Sequence, residues 1–184
     1  MAQTPSAPLA RDFAEAWARF AAEPVLGQSS FPVGEGPYLV WLVRLPLTPG
    51  IERLRRLLDR RRWQLPDDWL HMTVQEIGFS DPPDGDPPPP PNPTLTLGPP
   101  NVLTDAVVLE VRGSGLDAPF RLPHVSVLYA ERPGPDPQLR DLLARAREDW
   151  PPDTVAVEAL ELVAVDFSRR FAPWTTLERM ALSS

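Results

Sequence analysis

The chain has 184 residues, 42% of them hydrophobic and 23% charged, which suits one globular domain large enough to bury a core. Its net charge is −7 and all 18 basic residues are arginine, so a long nucleic-acid duplex is excluded as a partner and any phosphate must be met by local groups. The absence of cysteine removes disulfides, thiolate chemistry and cysteine-bound metals.

Along the chain, residues 1–7 carry no periodic pattern. From 9 to 22 the apolar positions Phe13, Ala16, Trp17 and Phe20 make one helical stripe, and Glu23-Pro24 ends it. That stripe is expected to pack on the main domain, the alternative being a partner-binding helix. Glycines and prolines up to residue 37 read as a loop, so residues 1–36 are an N-terminal helix and linker ahead of a domain at 37–184. A buried strand follows at 38–45. Thr48-Pro49 then starts a helix, with Ile51, Leu54, Leu57 and Leu58 facing inward. Its run of arginines reads as the solvated face.

After the turn at Pro66-Asp67-Asp68, the stretch from Trp69 to Phe79 reads as a strand. Residues 80–93, with five prolines in a row at 87–91, are a stiff polyproline-like spacer. Strand patterns return at 94–97 and 106–111, a Gly-Ser-Gly turn at 113–115 precedes a strand at 122–130, and Asp136-Pro137 starts a helix. Two final strands are expected at 154–167 and 174–182. Strands mixed with few helices, and no Gly-rich phosphate loop, point to a mostly antiparallel α+β fold. No apolar run reaches membrane-spanning length and no export signal opens the chain, so a cytoplasmic protein without a membrane partner, and a monomer, is the expectation.

The chemistry sits in two matching tetrapeptides. The chain has two histidines, and each opens the same pattern: His71-Met72-Thr73-Val74 and His124-Val125-Ser126-Val127. Residues two apart in a strand share a face, so His71 projects with Thr73, and His124 with Ser126, while the apolar residues between them turn to the core. A histidine in a strand is ordinarily a packing residue, yet both would have a hydroxyl at the second position by chance only about one or two times in a hundred. Imidazoles near neutrality can serve as acid and base, and hydroxyls can hold phosphate oxygens. Two histidines without cysteine do not compose a zinc shell, so neither metal nor cofactor is expected.

These motifs, some fifty residues apart, resemble those of the 2H phosphoesterase superfamily, in particular the bacterial 2′-5′ RNA ligase-like proteins. Leu-Pro-Leu-Thr-Pro at 45–49, Leu95-Thr96-Leu97-Gly98 and Asp166-Phe167-Ser168 with Trp174–Leu177 extend the likeness over residues 37–184. The resemblance implies a bilobal α+β domain, two antiparallel sheets related by a pseudo-twofold, with outer helices and one motif from each sheet in a central cleft. It implies metal-independent hydrolysis of a 2′,3′-cyclic or 2′-5′ phosphodiester on a small nucleotide or RNA end, or ligation by the reverse reaction. His71 and His124 would be acid and base, and Thr73 and Ser126 would bind the phosphate. Related sequences often carry a basic residue where this chain has Tyr129 and lysine where it has Gln75, so further phosphate contacts would fall to Arg44, Arg121, Arg132 or Arg169. Tyr129 is expected to point away from His124. A non-catalytic module binding nucleotides or RNA ends is the alternative.

Overall fold

The computed structural model describes residues 12–22, 34–58, 63–79, 81, 86–103, 106–116, 123–129, 136–166 and 174–182. Among the described residues three α-helices and nine strands follow in the order α1 (Phe13–Ala22), β1 (Tyr38–Arg44), α2 (Pro49–Leu58), β2 (Trp63–Gln64), β3 (His71–Phe79), β4 (Thr94–Leu103), β5 (Ala106–Arg112), β6 (His124–Tyr129), α3 (Pro137–Glu148), β7 (Asp153–Ala156), β8 (Ala159–Val165) and β9 (Thr175–Ala181). The strands run in the order β7-β4-β5-β6-β3-β1-β8-β9, and β2 adds to β6. Every pairing is antiparallel.

Two separate sheets were the expectation; among the described residues the strands instead form one continuous path. Its weakest join is central. β3 and β6 share the single backbone pair Met72↔Val125, whereas β1–β3 and β5–β6 are matched along most of their lengths. A one-pair seam leaves the two four-stranded stretches free to diverge on either side, which curls the sheet.

One face of the sheet carries the main core. Leu39, Trp41, Val43, Met72, Val125, Val127, Leu109 and Leu160 from the strands meet Ile51, Leu54 and Leu58 of α2 and Leu139 and Leu143 of α3. Ala16, Trp17 and Phe20 of α1 belong to the same core, and the Arg147 guanidinium of α3 lies 5.2 Å over the Phe13 ring. The N-terminal stripe therefore packs on the domain. The opposite face has two smaller apolar groups, Tyr38, Val40, Leu42, Val163 and Val165 in one half and Ala106 and Val108 in the other.

Local chemistry fixes the ends of the elements. Pro49 opens α2, the Ile51 amide donates to Thr48 Oγ1 at 3.3 Å, and Asp153 of β7 accepts from both Thr48 Oγ1 and, at 2.8 Å, the Gly50 amide. Asp136 caps α3 by accepting from the Leu139 amide at 3.1 Å. β4 runs through Gly98-Pro99-Pro100, beyond its expected end at 97. The prolines are tolerated because β7 pairs only with residues 94–97, so the later part of β4 needs no donors on that side, and the register shifts between Leu97 and Pro100. The single strand expected at 154–167 is broken at Val157-Glu158: β7 joins β4, and β8 crosses to β1. No helix among the described residues is long and apolar enough to cross a membrane.

Candidate active site

Both motifs lie at the central seam. Met72 and Val125 are fully buried and paired with each other. Side chains alternate along a strand, so His71 and Thr73 on β3, and His124 and Ser126 on β6, all project from the face opposite the main core. Each of these residues keeps partial exposure. Extending the Met72↔Val125 register by one residue either way sets His71 across from Ser126 and Thr73 across from His124. The histidines are then diagonal neighbours, with a hydroxyl residue facing each.

The two motif strands also share an irregularity. The register shifts between Trp41 and Leu42 opposite Val74, and between Val107 and Val108 opposite Val127. In each motif the extra residue is the valine after the hydroxyl residue. Such bulges re-aim neighbouring side chains and increase local twist.

His71 is held closely. Its Nδ1 lies 2.6 Å from the Trp69 carbonyl oxygen. A carbonyl can only accept, so Nδ1 carries the proton and the neutral ring keeps its lone pair on Nε2. The Trp174 ring stands 4.9 Å away at an interplanar angle of 88°, and Trp174 also lies 5.4 Å from Trp69. Burial lowers the His71 pKa from 6.5 to about 4; the Trp69 carbonyl opposes this, and positive charge on His124 and Arg44 adds to it. His71 is therefore neutral near pH 7.

Arg44 is the backbone partner of His71 on β1. Its Nε donates to Glu161 Oε2 at 2.8 Å, its Nη2 to Thr176 Oγ1 at 3.0 Å, and its guanidinium lies 5.2 Å over the Trp174 ring. Arg179 Nε stands 3.6 Å from Glu161 Oε1 on the other side. Arg44 thus enters the site as an oriented charge beside His71. The other half repeats the arrangement with opposite sign: Glu110 on β5 is the backbone partner of His124. The Glu110 carboxylate is buried, accepting from Asn101 Nδ2 at 2.9 Å and Arg147 Nη1 at 2.8 Å, with Arg112 at 3.4 Å.

Of the residues proposed from sequence, His71, Thr73, His124, Ser126 and Arg44 share this face. Arg121, Arg132 and Arg169 lie outside the described residues, as does the Tyr129 side chain. Trp69, Trp174, Glu161 and Glu110 were missed. The two glutamates did leave a signal, since each is the lone acidic residue in a strand of otherwise apolar residues, Ala159–Val165 and 106–111. Among the described residues no group of His, Asp and Glu gathers closely enough to hold a metal ion.

No protein-family model matches the sequence. No curated protein matches it either. Solved structures do. Escherichia coli LigT in complex with NADP+ superposes with a TM-score of 0.54 at 22% identity, covering 82% of this chain and 100% of that one. LigT with ATP gives 0.52 at 22% identity over the same shares. A crystal structure titled only as a phosphoesterase gives 0.53 at 20% identity, again covering 82% of this chain and 100% of that one. At such identities the likeness speaks for the backbone alone: the chain has the α+β fold of LigT and of this phosphoesterase.

Proposed function

We propose that the protein is a phosphodiesterase of the 2H type, hydrolysing a 2′,3′-cyclic or 2′-5′ phosphodiester on a small nucleotide or RNA end without metal. The observation that supports this reading is the seam pair Met72↔Val125, about which strand alternation would set the two imidazole–hydroxyl pairs on one face. The strand order about that pair also supports relating the halves by an approximate twofold: β3, β1, β8, β9 outward on one side and β6, β5, β4, β7 on the other. LigT has been crystallised with ATP, NADP+, 3′-AMP and phosphate, ligands of the chemistry this reading requires.

A phosphate seated between the histidines would have Thr73 and Ser126 as donors to its non-bridging oxygens, with Arg44 adding positive charge. In-line displacement needs a base on the side of the attacking water and an acid on the side of the leaving ribose oxygen. His71, neutral and with Nε2 as its acceptor, is the base; His124 is left as the acid. The phosphodiester anion raises both imidazole pKa values when it binds, which strengthens the base and keeps the acid charged.

The test is turnover of 2′,3′-cyclic nucleotides and of RNA ends bearing that phosphate, with chelator present. Chelator-resistant hydrolysis is expected, falling roughly 10²–10⁴-fold in both His71→Ala and His124→Ala. Binding of the same ligands without turnover would identify a non-catalytic nucleotide-end module. Absence of both binding and turnover would refute the proposal.

A further inference from the structure

We infer that Trp174 is a positioning residue for His71: its indole shields one side of the imidazole from water and, with the Trp69 carbonyl, holds the ring so that Nε2 faces the substrate. The inference rests on the proposed role of His71 as base and assigns that role a specific support. Trp174 directly precedes β9, whose first pair, Thr175↔Ala164, fixes where the indole enters. The indole packs against the apolar group of Tyr38, Val40, Leu42, Val163 and Val165, on the face that bears His71. Around it stand His71 at 4.9 Å, Trp69 at 5.4 Å and the Arg44 guanidinium at 5.2 Å.

This arrangement does two things at once. The Trp69 carbonyl restrains the ring at Nδ1, and perpendicular packing at 88° restrains its rotation, so the imidazole is held at two points. The indole also gives the Arg44 cation an aromatic surface to lie on, while Glu161 and Thr176 direct its nitrogens.

Two opposite effects follow from removing the indole, and they can be told apart. The charged groups facing His71 are Arg44 from β1 and His124 from β6, with Glu161 on β8 and Arg179 on β9 beyond Arg44. An Arg44 released toward the imidazole would push its titration further down. Water admitted to the ring would move it up toward the ordinary value of about 6.5. The sign of the change therefore isolates the sealing role.

The chain has only two histidines, so both imidazoles can be followed by NMR across roughly pH 3–8, with His124→Asn assigning the signals. The His71 midpoint is expected well below 6.5 in the wild type, shifted toward 4. Trp174→Ala should raise it by about one unit or more, and Trp174→Phe, which keeps an aromatic seal, by less than half of that. The acid limb of kcat/KM against pH should move up with it, a roughly tenfold loss on that limb per unit. Should the alanine variant not fold, Trp174→Gln carries the same expectation. An unmoved or lowered His71 midpoint, or an equal loss of activity at every pH, would overturn the inference. The NMR titration decides it even if no cyclic phosphodiester is turned over, in which case the proposed function fails separately.

Discussion

The roles proposed for the two histidines are separable by experiment because the environments differ in kind. Burial under aromatic cover and a neighbouring cation favour a neutral His71 ring, while the carbonyl at Nδ1, which pulls the other way, fixes the tautomer so that Nε2 is the acceptor. His124 is backbone-paired with an acidic residue, Glu110, where His71 is paired with Arg44. An acid is dispensable when the leaving group departs without a proton; a base is not. A phosphodiester with a p-nitrophenyl leaving group should therefore restore His124→Ala by about tenfold or more relative to a ribose leaving group, and leave His71→Ala as impaired as before. Initial rates on the two substrates check this, and rescue of His71→Ala instead would reverse the assignment. The imidazole–hydroxyl pairs were legible in the sequence because strand alternation needs only a local pattern. Trp174 was not legible as a neighbour of His71, because more than a hundred residues of chain and the β8–β9 pairing bring it there.

At the scale of elements, the site depends on contacts that tie one half of the sheet to the other. The start of α2 is fastened to β7 by Asp153, which receives both Thr48 and the Gly50 amide. A side chain on Gly50 would meet the Asp153 carboxylate, so Gly50→Ala must push that cap aside. Asp153→Ala is expected to cost about 1–2 kcal/mol, and Gly50→Ala a similar amount despite alanine's better helix propensity, both read as a lower urea midpoint at unchanged slope. A Gly50→Ala variant as stable as wild type would show that the cap relaxes without loss. Arg55 makes a second fastening: it donates to Asp67 and to the Leu65 carbonyl, fixing the turn at 67–69 whose last carbonyl holds His71. The sequence predicted α2 and its capping residues, since Thr-Pro is a local signal. It read the arginines of α2 only as a solvated face, because nothing local shows that Arg55 reaches back to the following turn. It also merged β7 with β8, since the apolar run from Val155 to Val165 is nearly unbroken and the change of partner at Val157-Glu158 is set by which strand lies beside each part.

For the whole molecule, the site and the stability meet at the seam. β3 and β6 join through one backbone pair, and the residue before Met72 is a histidine that the fold keeps neutral. An imidazole whose pKa falls from 6.5 to about 4 on folding binds its proton more readily in the unfolded chain. The unfolded state therefore gains protons between these values as the pH drops. His71's share of stability is fully present above about pH 6.5, declines as acid is added, and is lost near pH 4. A fully sealed ring would contribute roughly 3 kcal/mol through this linkage; with its partial exposure, about 1–2 kcal/mol is expected. Carboxylates protonate toward the end of the same range, so the wild type alone would not identify the source. The difference between wild type and His71→Asn does, because only the imidazole titrates between pH 5 and 6.5 at this position. Urea unfolding at pH 7 and pH 5 should show the wild type losing more stability than the variant, by about 1 kcal/mol. Parallel losses in the two proteins would mean that His71 titrates alike in the folded and unfolded chain, and its neutrality would then not be a property of the fold. A larger loss in the wild type would tie the neutral imidazole to the seam: the packing that holds the halves together there would also be what keeps His71 unprotonated.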